Sequence, residues 1–405
     1  MPRRSPLRRD FPALALSMLC VYALFWALTG RSPLFSTYDS YVLQALRWLS
    51  GHLDLGQDYA YLEIARYAGR YFVSFPPIPS VLLLPLCLLF GANAPDGLLA
   101  VGMSLLAAWY ALRLAHLAGR TGPSAVFWAL FLTVGSNFLH VGPSADVWYL
   151  AQTCAFAFTL MALYHASTPG LRDGWVPLLA LALAFGCRPL QIVYLPLAAL
   201  LLWQKVKRGG LDLPAALRRY WWWALPPLAV GCALMALNAA RFGSPFQFGH
   251  DYLPEFAVEK PAGQFSAAYL PENWARLWAL PPVEGGRVVF PIFNGCAFWL
   301  FSPIFLSFGV YFLKNIRAVL KKPAVLLAVA LILVHFAALC AHATLGGWQF
   351  GNRYTVDALP VLYWALLLLL KDDDRDLPAL NVPLFLWGLG LDLVGSVALF
   401  NGWLG

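Results

Sequence analysis

Charged side chains are scarce in this chain of 405 residues. Only 12% of its residues are Asp, Glu, Lys or Arg, while 60% are hydrophobic and the mean hydropathy is +0.65. Soluble domains carry about 25% charged residues. The shortage extends along the whole length, so we expect no soluble domain, including none at the C-terminus. The composition predicts an all-α protein that crosses a membrane many times.

Paired cysteines are also missing. The seven cysteines are scattered singly, without a CxxC spacing, and lie mostly inside apolar runs. This pattern is typical of small packing residues and excludes a disulfide framework. The net charge of +8 comes from basic residues at the ends of apolar runs. Because Lys and Arg at these places set membrane topology, the sequence predicts no nucleic-acid partner.

A series of apolar runs is what remains. Each spanning helix needs about 20 apolar residues, and loops on the cytoplasmic side carry the excess of Lys and Arg. Arg3, Arg4, Arg8 and Arg9 predict a cytoplasmic N-terminus before an uncleaved first helix, which is longer than a signal-peptide core. About 11 spans are predicted: 11–30, 96–118, 124–140, 147–166, 175–187, 190–204, 221–240, 294–313, 324–343, 356–370 and 382–403.

Two long loops are predicted on the extracytoplasmic face. Residues 31–95 form the first loop, which carries juxtamembrane helices: "SYVLQALRWL" has helical periodicity, and 75–93 is short and broken by proline. Residues 241–291, rich in Pro, Gly and aromatics, form the second. We expect 1–405 to be a single transmembrane domain in the plasma membrane, the inner membrane of a bacterium. This arrangement places all five glutamates outside.

Two carboxylates on the predicted outer face are candidate catalytic groups. Asp39 follows the first apolar run, and Asp146 comes just before the run 147–166. A carboxylate held at this place can take a proton from a hydroxyl acceptor. Capping of the helix that follows is the alternative for both residues, because Asp favours the N-cap position.

Two arginines on the same face are candidates for binding an anion. Arg188 lies in a tight turn between apolar runs, and Arg353 lies in "FGNRYTVDALP". Arginine binds phosphate oxygens in a bidentate manner and stays charged. The alternatives are anchoring of helix ends at the interface and, for Arg353, an i,i+4 pair with Asp357.

Four further residues complete the predicted substrate-binding set. They are His250, Asp251, Tyr252 and Tyr71. Anchoring at the membrane interface is the alternative for the tyrosines. His250 has no second histidine at a ligand spacing, so we predict no metal site at this residue.

Two stretches of the first loop carry a resemblance to a known family. "TYDSYVLQALRWLSGHLDL" (37–55), followed by "GRYFVSFPPIPSVLLLP" (69–85), resembles the GT-C superfamily of integral membrane glycosyltransferases. Protein O-mannosyltransferases and aminoarabinose transferases have a similar layout. The resemblance implies a GT-C-like bundle, with Asp39 as the catalytic base and Asp146 as a second outside acid. It also implies that "FGNRYTVDALP" corresponds to a late Arg-Tyr segment.

The resemblance implies a reaction as well. A sugar would pass with inversion from a polyprenyl-phosphate-linked donor to a hydroxyl on a lipid, protein or glycan acceptor, among membrane lipids. The sequence departs from the family at Trp148, which stands where a metal-binding DxD form has its second acid. The sequence therefore requires no cofactor, and a divalent metal is the weaker alternative. A transporter or flippase of lipid-linked sugars, or a non-enzymatic envelope scaffold, are the competing functions, although no inverted repeat favours transport.

Overall fold

The computed structural model describes residues 6–254, 262–371 and 377–404, which form an almost entirely helical bundle. This confirms the predicted all-α class. Four short strands form two hairpins: β1 Ile64–Tyr67 with β2 Arg70–Val73, and β3 Val283–Glu284 with β4 Arg287–Val288. The described α-helices, in chain order, are α1 Pro6–Thr29, α2 Ser40–Leu49, α3 Ile78–Phe90, α4 Asp96–Leu117, α5 Pro123–Thr133, α6 Phe138–Val141, α7 Val147–Ser167, α8 Val176–Phe185, α9 Leu195–Arg208, α10 Leu213–Tyr220, α11 Leu225–Phe242, α12 Leu270–Trp278, α13 Phe298–Phe301, α14 Ile304–Lys314, α15 Ile316–Val319, α16 Pro323–Ala341, α17 Leu359–Lys371 and α18 Pro378–Phe400.

The chain is a multi-pass membrane protein. Among the described residues, 8 helical segments are long and apolar enough to cross a bilayer: Leu7–Thr29, Asp96–Leu117, Val147–Ser167, Pro189–Arg208, Leu213–Phe242, Pro323–Ala341, Arg353–Leu370 and Pro378–Phe400. Shorter apolar helices cover Ile78–Asn93, Pro123–Thr133, Val176–Phe185 and Ile304–Lys314. Each span predicted from the sequence overlaps one of these helices, but only 8 of the described helical segments reach spanning length.

Two helices differ in length from the prediction. The predicted span 124–140 ends at Thr133, and a separate short helix, α6, follows. Gly135 and Ser136 are weak helix formers, and the Asn137 amide leaves the helical pattern to donate to Ser302 Oγ at 3.1 Å. The predicted span 294–313 is helical in one continuous piece only from Ile304, because Pro303 has no amide hydrogen and interrupts the helix.

Two segments form the centre of the bundle. In the most apolar 18 residues of each segment, 83% of the residues of α7 and 89% of those of Arg353–Leu370 are buried. Both are apolar around their whole circumference, which is typical of a helix enclosed by others. Helices α4, α8 and α9 pack around α7, and α14 and α16 pack against α17. The first residues of these two central segments therefore meet at one end of the bundle, where the cavity described below lies.

The first loop contains a predicted helix and an unpredicted hairpin. Helix α2 covers the stretch with helical periodicity, but the next residues form the β1–β2 hairpin. Its turn consists of Ala68 and Gly69, both with positive φ (49° and 73°). The buried Arg241 guanidinium donates to the carbonyl of Val73 at 3.0 Å. This bond fixes the end of the hairpin beside the cavity.

Candidate active site

A cavity of about 420 Å³ lies at the end of the bundle where α7 and the 189–208 segment begin. One part of its wall is polar, and the other is apolar. Three apolar residues at its edge, Ile192, Phe248 and Phe265, are 49%, 36% and 52% exposed. Ile192 belongs to a segment that is long and apolar enough to cross a bilayer, so this exposed part of the wall lies in a candidate membrane span. The polar wall consists of Ser74, Arg188, His250, Gln264, His342 and Arg353, and the apolar wall includes Phe185, Leu190, Ile192, Phe248, Phe265 and Leu339.

Arg188 reaches the cavity from the turn between α8 and the 189–208 segment. Its Nε and Nη2 both lie 3.0 Å from Oδ2 of Asp357. The other carboxylate oxygen, Oδ1, accepts a hydrogen bond of 2.8 Å from Gln152 Nε2. Asp357 is fully buried, so this ion pair balances the charge of Arg188. The alternative pairing of Asp357 with Arg353 is not formed.

Arg353 supplies the second guanidinium and has no carboxylate partner among the described residues. Nε and Nη2 donate to the carbonyl of Gly346, at 3.0 and 2.6 Å. Nη1 is buried and has no hydrogen-bond partner in the described part of the chain. The Tyr354 ring contacts both arginines: its centroid lies 4.7 Å from Cζ of Arg188 and 4.8 Å from Cζ of Arg353. Arg353 is only 5% exposed, and no carboxylate among the described residues balances it. Its charge is therefore available for an anion that enters the cavity.

Two histidines lie in the polar wall. Burial, together with the neighbouring His342 and Arg188, lowers the pKa of His250 to about 4. Above about pH 5, His250 is therefore a neutral hydrogen-bonding group, and the positive charge of the cavity comes from the arginines. His342 Nε2 lies 3.3 Å from Gln264 Nε2. A backbone bridge between Phe265 and His342 holds the 264–266 segment against the end of α16.

Asp39 lies at the margin of this region and is not one of the residues that line the cavity. Its carboxylate accepts a hydrogen bond of 3.0 Å from the Tyr61 hydroxyl and makes no capping bond to α2. Partial burial and the Asp39 carboxylate raise the pKa of Tyr61 to about 12, so the phenol remains a donor at neutral pH. The preceding Tyr38 packs on Trp148 with ring centroids 4.8 Å apart, and Trp148 lines the cavity. A base role for Asp39 stays a prediction.

Asp146 holds the first loop to the start of α7. Its Oδ1 accepts the amide hydrogens of Thr37 and Tyr38, at 3.1 and 3.3 Å, and Oδ2 forms an ion pair with Arg31. The carboxylate is almost fully buried. These bonds place the Thr37–Asp39 segment beside the cavity. The catalytic role of Asp146 stays a prediction, and its contacts give it a structural one.

Replacing Asp146 by alanine should destabilise the protein by about 2 kcal/mol or more. The change leaves Arg31 without its carboxylate and two backbone amides without an acceptor. Thermal unfolding in detergent measures the loss. Asp58→Ala is the matched control, because Asp58 forms an exposed pair with Arg66 at 2.7 Å, which is worth about 0–1 kcal/mol. Equal melting temperatures for the two variants would contradict the structural role of Asp146.

The remaining predicted residues lie outside the cavity wall. Asp251 accepts a hydrogen bond of 3.0 Å from Gln247 Nε2 and is exposed. Tyr252 packs against Tyr67 and Phe242 with ring centroids 4.6 and 5.7 Å apart. Tyr71 lies in β2. Part of the second large loop, 255–261, lies outside the described residues. In the described ranges, no group of three His, Cys, Asp or Glu side chains is arranged to hold a metal ion.

Several residues of the site were not predicted from the sequence. Gln152, which bonds to Asp357 beside Arg188, was missed, and so were Gln264 and His342 in the cavity wall. Asp357 was named only as a possible partner of Arg353. Gln152 lies inside an apolar helix, where a polar residue is costly unless it is bonded, and this was the available signal. His342 directly follows an apolar helix on the predicted outer side. The other candidate residues were chosen because they lie next to apolar runs on that same side.

Two solved structures share this architecture. ArnT from Cupriavidus metallidurans, bound to undecaprenyl phosphate, matches with a TM-score of 0.51 and 16% identity, over 92% of this chain and 61% of its own length. The oligosaccharyltransferase of Archaeoglobus fulgidus in its apo form matches with a TM-score of 0.54 and 13% identity, over 98% of this chain and 56% of its own length. No protein-family model and no curated protein sequence matches the chain.

The chain shares the fold of these two structures. This confirms, at the level of fold, the resemblance carried by 37–55 and 69–85. The chain spans less than two thirds of the length of either structure. Fold alone does not define chemistry, so the activity has to be argued from the site.

Proposed function

We propose that the protein is a membrane glycosyltransferase that moves a sugar from a polyprenyl-phosphate-linked donor to a hydroxyl acceptor. The observation that carries the proposal is the buried Arg353 guanidinium, which lines the cavity, lacks a carboxylate partner and keeps Nη1 unbonded. A buried cation without a carboxylate partner is costly, so a site built in this way is suited to an anionic ligand. A phosphate diester is such an anion, and arginine is the side chain best adapted to it.

The apolar wall supports a lipid-linked donor. Phe185, Leu190 and Ile192 line the same cavity as the guanidinium groups, and Ile192 is 49% exposed in a candidate membrane span. A prenyl chain would pack on this wall while its phosphate lies at Arg353 and Arg188. The solved ArnT structure was obtained with undecaprenyl phosphate bound, and this chain shares its fold. We therefore take a polyprenyl phosphate as the carrier, and a lipid, protein or glycan hydroxyl as the acceptor.

The proposed reaction is an inverting displacement. Asp39 takes the proton of the acceptor hydroxyl while the acceptor oxygen attacks the anomeric carbon from the side opposite the phosphate. The bond between the anomeric carbon and the phosphate oxygen breaks, and its electron pair stays on the phosphate. The arginines stabilise this developing charge, so the leaving group needs no proton from a second acid. Tyr61 holds the Asp39 carboxylate through its hydroxyl.

The charge distribution supports one orientation in the membrane. At the end opposite the cavity lie Lys205, Arg208, Lys314, Lys321 and Lys322. The rule that cytoplasmic loops are positive assigns this end and the N-terminus to the cytoplasm. The cavity is then extracytoplasmic, and a bacterial plasma membrane is the proposed location.

A transfer assay with purified protein in liposomes tests the proposal. Polyprenyl phosphates that carry labelled sugars are supplied together with lipid, peptide and glycan acceptors. We expect a new glycosidic bond and release of polyprenyl phosphate. EDTA added in a parallel reaction reports whether a divalent metal is required.

The same assay separates the alternative functions. Movement of intact labelled lipid between leaflets, without a new glycosidic bond, would indicate a transporter or flippase. Neither product nor movement would indicate a scaffold. Arg66→Gln is the arginine control for variants of Arg188 and Arg353, because Arg66 pairs with the exposed Asp58 and does not line the cavity. This variant should keep the wild-type rate.

A further inference from the structure

A buried polar network connects α18 to the loop that carries Arg353. Asp392 is fully buried in the middle of α18, and its Oδ1 accepts a hydrogen bond of 2.7 Å from Asn137 Nδ2. Its second oxygen, Oδ2, has no partner among the described residues. An acidic side chain inside a spanning helix is expensive, and such residues commonly mark a function. The reaction proposed above does not use Asp392 directly.

Asn137, which bonds to Asp392, also bonds to the backbone just before Arg353. Its Oδ1 accepts the amide hydrogen of Asn352 at 3.1 Å, and its Nδ2 also lies 3.2 Å from the carbonyl of Phe350. The two ends of the Asn137 amide are therefore assigned by their partners, with the NH₂ group towards Asp392. Gly351, with φ of +82°, leaves the space that the Asn137 amide occupies.

A second contact from α18 holds the same loop. The amide of Phe350 donates to His140 Nε2 at 3.3 Å, so the ring proton of His140 is on Nδ1 and is donated to Ser396 Oγ at 2.9 Å. Gly395 allows the Phe350 ring to lie directly against α18. Asn137 and His140 thus bind the backbone of Phe350 and Asn352, shortly before Arg353.

We propose that Asp392 is a positioning residue for the anion site, acting through Asn137 and the Phe350–Asn352 backbone to orient Arg353. This inference rests on the proposed function, in which Arg353 binds the donor phosphate. The position of a guanidinium follows from the backbone that carries it. The amide and carbonyl of Arg353 are bound by Gln349 and Gln152. The Phe350–Asn352 backbone just before it is bound by Asn137 and His140, and these two side chains contact Asp392 and Ser396 of α18. Removing the acceptor at residue 392 should loosen this backbone while leaving the membrane bundle intact.

The test compares Asp392→Leu with Asp392→Asn. Leucine has a similar volume and no polar atom, so the variant removes a buried acid from the membrane and should unfold at the same temperature or higher. Asparagine keeps an acceptor for Asn137 Nδ2. Undecaprenyl phosphate is the probe, and its binding is followed by the fluorescence of tryptophan, since Trp148 lines the cavity. We expect binding about tenfold weaker for Asp392→Leu and within about twofold of wild type for Asp392→Asn.

A double-mutant cycle distinguishes positioning from a general structural role. In the Arg353→Gln background, Asp392→Leu should cause no further loss of binding, because the group that it positions is gone. An equal loss in both backgrounds overturns the proposal. Asn381→Leu is the matched control. It removes two other buried hydrogen bonds of α18, with Ser307 at 2.9 Å and Tyr311 at 3.0 Å, and none of these residues lines the cavity. This variant should bind the probe normally.

Hydrogen exchange makes the test independent of the donor. Asp392→Leu should accelerate exchange of the amides of Phe350, Asn352 and Arg353 selectively, and unchanged exchange overturns the positioning role. If the wild-type protein does not bind undecaprenyl phosphate, the proposed function is wrong. The exchange data alone then decide whether Asp392 orders the backbone that carries Arg353.

Discussion

Replacing Asp39 by asparagine should slow sugar transfer by about 10²–10⁴-fold while leaving donor binding unchanged. Asparagine has nearly the same shape and still accepts the hydrogen bond from Tyr61, but it cannot take a proton from the acceptor. Because the proposed function places the donor phosphate at the arginines, the loss should appear in kcat and not in the affinity for undecaprenyl phosphate. Steady-state transfer and probe binding, measured on the same preparation, separate these two quantities.

Asp58→Asn is the matched control for this prediction. Asp58 lies in the same loop, is half-exposed, and pairs only with Arg66 at 2.7 Å. It should retain wild-type transfer within about twofold, since exposed pairs of this kind contribute about 0–1 kcal/mol. Tyr61→Phe provides an intermediate case, because it removes only the hydroxyl that holds the Asp39 carboxylate. An Asp39→Asn variant with normal kcat would assign the base to a group of the cavity wall itself.

The membrane helices could be predicted because length and apolarity alone define them. A bilayer needs about 20 apolar residues in a run, so runs such as 147–166 and 324–343 lead almost directly to α7 and α16. The prediction was less accurate where a tertiary contact decides the structure. The span 124–140 ends early because Asn137 turns to bind the 350–352 backbone, a contact with residues more than 200 positions away.

The hairpin β1–β2 was missed for a different reason. Residues 64–73, "IARYAGRYFV", do carry a turn signal in Ala68-Gly69, but the strands are only four residues long. Short strands carry little periodicity, and the neighbouring helical pattern of α2 dominated the interpretation. The sequence therefore predicted the helix at 40–49, which is confirmed, and no strand at 64–73.

The site illustrates what sequence spacing can and cannot predict. Arg188 and Arg353 were both assigned to an anion site, and both line the cavity. The partner of Asp357 could not be found from spacing, because the i,i+4 rule favours Arg353, whereas the pair forms with Arg188, 169 residues away. This difference has a chemical consequence: it balances the charge of Arg188 and leaves the charge of Arg353 for a ligand.

Replacing Arg353 by glutamine should weaken the binding of undecaprenyl phosphate by about a hundredfold and lower transfer at least as much. The change removes a buried positive charge and the unbonded Nη1. Loss of one partner from a buried charged contact costs about 2–5 kcal/mol, and a hundredfold corresponds to about 2.7 kcal/mol. The affinity of Arg353→Lys should lie between those of the wild type and Arg353→Gln, because lysine keeps the charge but not the planar arrangement of donors. Titration of the probe, followed by tryptophan fluorescence, gives the three affinities.

The thermal stability of these variants distinguishes an anion site from a structural arginine. In the unliganded protein, Arg353 is a buried cation whose described side-chain hydrogen bonds go only to the carbonyl of Gly346. Removing it should therefore leave the melting temperature of the free protein nearly unchanged, because the lost hydrogen bonds are offset by the lower cost of burial. The stabilisation produced by the probe should disappear, since a ligand stabilises only the state that binds it. A large drop in the melting temperature of the free protein, with probe binding retained, would instead make Arg353 a structural residue and remove the main support for a phosphate-linked donor.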